Sequence, residues 1–76
     1  MQTSIFSERL AALLKYSLKL DAGIAVDGDF VELQRLEARI VNDCQTGYYP
    51  GHVARALSSI AANIHQDFRT VLKLDK

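Results

Sequence analysis

With nine basic side chains against nine acidic ones in 76 residues, the chain is neutral overall and has no strong field to draw it to nucleic acid, anionic lipid or an acidic substrate. Its length allows one domain at most, and 49% apolar with 24% charged residues is a globular composition that excludes a disordered tail, a collagen-like repeat and a coiled-coil rod. The lone Cys44 cannot close an intramolecular disulfide, so a reducing cytoplasm is the expected location.

Lys15 and Lys19 interrupt the apolar run after Leu10, which removes the uninterrupted stretch a signal peptide needs. No run approaches the roughly 18 apolar residues of a membrane span. Glycine and proline fall in only two places, around 21–29 and 46–51, and two breaks divide the chain into three segments. The expected fold is all-α: a three-helix bundle, or a helical hairpin plus a long C-terminal helix, with helices over 4–21, 30–46 and 50–72.

In the first segment Thr3 or Ser4 can cap the amino end, with Glu8 near the favourable pole of the helix dipole. Phe6, Leu10, Leu13, Leu14 and Leu18 recur at helical spacing and are the expected buried face. Glu8, Arg9, Ala12, Lys15, Tyr16 and Lys19 fall opposite. Gly23 suits the left-handed residue that ends a helix, with Ile24 folding apolar contact back onto the last turn.

Asp29 and Glu32, three residues apart, read as an acidic capping box opening the second helix. Its apolar arc is Phe30, Leu33, Leu36, Ile40, Val41 and Cys44. Steps of about 100° per residue place Glu37 inside that arc. Either its carboxylate reaches water over the rim, or it pairs across a helix or subunit interface with Arg55, His52 or His65.

Gly47 can stop the second helix, and Pro50 fits the first turn of the third. Val53, Leu57, Ile60, Ile64, Phe68 and Val71 then form a stripe along roughly 33 Å of helix, amid small residues such as Ala56, Ser58, Ser59 and Ala61. This should be the longest element, reaching past the other two and leaving Phe68, Val71 and Leu72 to be covered by a second copy. A homodimer joined along this helix, with its two-fold axis near Ile60 or Ile64, is expected.

Chemistry-bearing patterns are sparse. Cys44 lies on an apolar face without an evident base, and His52 and His65 stand about 140° apart around one helix, so they cannot converge on a metal. No phosphate loop or nucleophile elbow occurs, and neither an enzyme nor a cofactor is expected. The second helix, turn and third helix superficially resemble a DNA-binding helix-turn-helix. The outer face of the third helix offers only Arg55, Arg69 and Lys73 as bases, which disfavours nucleic acid.

Tyr48 and Tyr49, on a tight turn ahead of Pro50, stand out because exposed tyrosine is a common interface anchor. The run Tyr48-Tyr49-Pro50 resembles the turn that immunity proteins of nuclease bacteriocins present to their toxin. Arg55-Ala56-Leu57-Ser58-Ser59, in a long last helix, is similar to small chaperones and needle subunits of type III secretion systems. Asp29-Phe30-Val31-Glu32-Leu33 looks like the second helix of a hairpin-shaped inhibitor of a sporulation kinase. Each likeness covers a few residues and together they imply shared architecture, a helical surface offered to one partner.

The reading is therefore a small non-enzymatic module, an adaptor, chaperone or regulator, that binds another protein through Tyr48, Tyr49, His52, Arg55, Ile60, Ile64, Phe68 and Val71. An inhibitor or immunity-type protein that plugs an enzyme with the tyrosine turn is the first alternative, and a small DNA-binding regulator the second.

Overall fold

The computed structural model describes residues 3–74, the side chains of Thr3 and Ser4 excepted, so the expected cap by either residue lies outside the described residues. Three helices follow in order: α1 (Thr3–Asp21), α2 (Asp27–Thr46) and α3 (Gly51–Val71). No strand occurs among the described residues. They pack into a body of 36 × 23 × 18 Å.

Glycine ends the first two helices by the same device. Gly23 and Gly47 take φ of +72° and +76°, a region that L side chains enter only at a cost. Ile24 and Tyr48 each donate an amide hydrogen back across the terminus, to the carbonyls of Lys19 and Asp43 at 3.0 and 3.1 Å. Both are Schellman closures that satisfy carbonyls otherwise left without partners. α3 closes likewise, but with Lys73 at φ +58° in place of glycine and Leu74 bonding Arg69 O at 2.8 Å.

α2 begins three residues ahead of the expected boundary. Asp29 occupies the third helical position: its carboxylate accepts the Val26 amide at 3.0 Å, and its own amide donates to Val26 O at 2.9 Å. The three helices consequently have 19, 20 and 21 residues, each close to 30 Å long. The third is the longest by a single residue, and of the side chains expected to lack cover Phe68 is buried within the chain and Leu72 partly so, while Val71 is left 52% exposed.

Long-range side-chain pairs define the topology. Arg9 meets Asp43 and Lys19 meets Asp29, so α1 and α2 run antiparallel. Phe6 lies against Tyr49 and Tyr16 against Phe68, so α1 and α3 run parallel. The core comprises Leu13 and Tyr16 of α1, Leu33, Leu36 and Ile40 of α2, Tyr49 of the turn, and Leu57, Ala61, Ile64 and Phe68 of α3. Fully burying a large side chain of this kind contributes about 1.5–3 kcal/mol.

α1 is rotated relative to its expected face. Tyr16 is buried, with its ring 6.3 Å edge-on from Phe68, while Leu14 and Leu18 are 50% and 67% exposed. Phe6, Leu10 and Leu13 suit burial of either flank, and the two ion pairs to α2 pull the Arg9, Tyr16 and Lys19 side inward. Val41 and Val71, both expected on buried stripes, are half exposed, and Ile24, expected to fold back onto α1, is 63% exposed.

Candidate interaction surface

The turn between α2 and α3 is constrained at every position. Gly47 supplies the left-handed bend, and the Pro50 carbonyl accepts the amides of Val53 and Ala54, both at 3.0 Å, opening α3. Between these points the two tyrosines separate. Tyr49 turns inward, where its hydroxyl donates to Asp43 Oδ2 at 2.6 Å and its ring stands edge-on to Phe6 at 6.3 Å. Tyr48 turns outward and is 40% exposed.

Asp43 is the hub beneath the turn. Only 3% exposed, it receives on the same oxygen both the Tyr49 hydroxyl and Arg9 Nε, the latter at 2.8 Å. Burial pushes its carboxyl upward, but the hydrogen bonds from Arg9 and Tyr49 outweigh that and hold it below the usual range. The Asp43 hydrogen bond in turn raises Arg9. Burial, followed by the bond to Asp43, pushes the Tyr49 phenol up to about 12. One carboxylate thereby ties α1, α2 and the turn together.

Two further polar links brace the bundle. Lys19 Nζ donates to Asp29 Oδ1 at 2.7 Å, and that hydrogen bond, with the Val26 amide, lowers the Asp29 carboxyl. Glu37 Oε1 lies 2.8 Å from His65 Nδ1, joining α2 to α3, while the His65 ring packs edge-on to Phe30 at 4.9 Å. Of the partners considered for Glu37, His65 of the same chain fills the role, and no subunit interface is needed.

The residues expected at a partner surface divide into three groups. Tyr48, His52 and Arg55 are exposed at the turn and the start of α3, and their side chains make no hydrogen bond or ion pair among the described residues. Tyr49, Ile64 and Phe68 are core residues of the single chain and Ile60 is partly buried, which corrects their placement on an open seam: α1 and α2 already cover that stripe. Val71 is exposed but stands at the opposite end of α3.

The Arg9–Asp43–Tyr49 cluster escaped sequence reasoning. The signal available was position: Asp43 follows Leu36 by seven residues and Ile40 by three, so it recurs on the buried arc. Neither a cavity nor a group of metal-ligating side chains is found among the described residues, and none of their helices is long and apolar enough to cross a membrane. No protein-family model, curated protein or solved structure matches the chain.

Proposed function

We propose that this protein is a non-enzymatic interaction module of the cytoplasm, an adaptor, chaperone or regulator, that grips a partner protein with Tyr48, His52 and Arg55. The observation that supports this reading is the division of labour in the turn. Tyr49 is bolted to Asp43 at 2.6 Å, so the backbone carrying Tyr48 is held in place before any partner arrives. A rigid aromatic anchor loses little conformational entropy on binding, and tyrosine and arginine are the residue types that most often dominate interface energetics. His52 and Arg55, the second and fifth residues of α3, add polar recognition beyond the turn.

Affinity capture from the native host with the wild-type chain and with Tyr48→Ala tests the reading. Proteins retained by the wild type should be lost or bound at least tenfold more weakly by the variant, while its melting temperature stays unchanged because Tyr48 is outside the core. Equal capture by both chains would refute the assignment. Loss of Tyr49 through Tyr49→Phe should weaken capture less than Tyr48→Ala does, since it loosens the turn without removing the anchor.

A further inference from the structure

Charge is divided unevenly among the helices. α2 holds five acids against two bases, whereas α3 holds the single Asp67 against Arg55 and Arg69. The inward acids of α2 are matched within the chain: Asp43 by Arg9, Asp29 by Lys19 and Glu37 by His65. From Cys44 to Gln66 the sequence has no Asp or Glu, and that tract comprises the tyrosine turn and most of α3. Within it His52 and Arg55 are exposed and make no hydrogen bond or ion pair among the described residues. At the end of the bundle where Phe6 meets Tyr49, the acids Glu8 and Asp43 are both held by Arg9, so neither answers Arg55.

These side chains share one face. His52 and Arg55 are three residues apart and Ser59 follows after four, so steps of about 100° put all three within about 60° of one another. Leu57, Ala61 and Ile64, on the opposite side of α3, are in the core. The outward strip offers donors: an imidazole N–H, the guanidinium fork and a serine hydroxyl. A planar guanidinium matches a carboxylate with two parallel hydrogen bonds. We infer that the partner gripped at the tyrosine turn presents an acidic segment, with a carboxylate seated on Arg55. This rests on the tyrosine-turn reading and supplies the partner's chemistry. A basic segment would meet the same face with like charge and be turned away. Nucleic acid fits less well, because its affinity grows with the number of phosphates neutralised, and this strip has one arginine.

An array of random short peptides, probed with the labelled whole chain, tests it. Peptides retained by the wild type should be enriched in Asp and Glu, and raising salt from about 0.05 to about 0.5 M should weaken their binding about tenfold by screening. Arg55→Glu should weaken the same peptides by about tenfold or more, with helical circular dichroism unchanged because the side chain is exposed. Arg39→Glu, the same charge change at an exposed position of α2, should leave retention unaltered. An array that retains nothing, retained peptides without an acidic bias, or an Arg55→Glu chain no different from Arg39→Glu would each overturn the inference. So would a random-sequence oligonucleotide bound in place of peptides and released by Arg55→Glu, which would assign the face to nucleic acid. Acidic peptides lost to Arg55→Glu but kept by Tyr48→Ala would uphold the inference and refute the tyrosine anchor. Retention without acidic bias, lost to Tyr48→Ala alone, would do the reverse.

Discussion

Replacing Asp43 with alanine should be among the most damaging single changes this chain can suffer short of emptying the core. The carboxylate is 3% exposed and accepts from Arg9 and Tyr49 at 2.8 and 2.6 Å. Its removal leaves the mostly buried Arg9 guanidinium with only the exposed Glu8 carboxylate, 3.3 Å away, and a phenolic hydroxyl inside the core without its acceptor. Breaking such a pair from one side costs about 3–5 kcal/mol, mostly the penalty of leaving the other charge without its partner. A domain of this length has roughly 4–11 kcal/mol in all, so Asp43→Ala should come close to unfolding it. Tyr49→Phe removes one bond and leaves the ion pair intact, so its cost should be about 1–2 kcal/mol. The double change Arg9→Met with Asp43→Leu removes both charges together and should recover most of the loss, because well-packed apolar replacements of a buried pair are often neutral. Urea unfolding followed by circular dichroism at neutral pH measures all three. A loss under about 1 kcal/mol for Asp43→Ala, or a double variant no better than the single one, would refute the view that this carboxylate ties α1 to the α2–α3 turn.

The left-handed Lys73 is a correctable strain: Lys73→Gly should stabilise by about 1 kcal/mol and raise the melting temperature by about 4–8 °C, whereas Gly47→Ala should destabilise by a similar amount, and a thermal scan that finds no difference between them would contradict the φ values of +58° and +76°. Acid should act through Asp43 and Asp29. Both carboxyls are held low in the folded state, so their contribution is fully present above the unfolded value near 3.9 and is lost as pH falls through the folded values; stability should drop below about pH 4, less steeply in Asp43→Asn. Base should act through Tyr49, whose phenol is raised to about 12: stability should decline between about pH 10 and 12 as the unfolded chain ionises first, and urea unfolding across that range should show a shallower slope in Tyr49→Phe, the remainder coming from Tyr16, whose phenol burial also raises.

Much of the architecture was legible locally. Gly23 and Gly47 mark helix ends because only a residue without a side chain enters the left-handed region freely, and two breaks require three helices. On α2 and α3 the arcs of Leu33, Leu36 and Ile40 and of Leu57, Ile64 and Phe68 are buried as their spacing predicts. These features depend on residues within one turn of each other, which periodicity detects. The rotation of α1 was not legible in this way. Leu14 and Leu18 outrank Tyr16 in hydrophobicity, yet Tyr16 is the buried residue, because Arg9 and Lys19 find their carboxylates on α2, 34 and 10 residues away, and turn that flank inward. Distance also hid the inward Tyr49, whose ring meets Phe6 of α1, and left the choice among Arg55, His52 and His65 for Glu37 open until His65, 28 residues away, was found beside it. Sequence alone determined where the helices break and which stripes of α2 and α3 are apolar, since those are properties of neighbouring residues. Which tyrosine is anchored and which is left exposed were decided only when three helices met, because each depends on a charge or a ring brought from another helix.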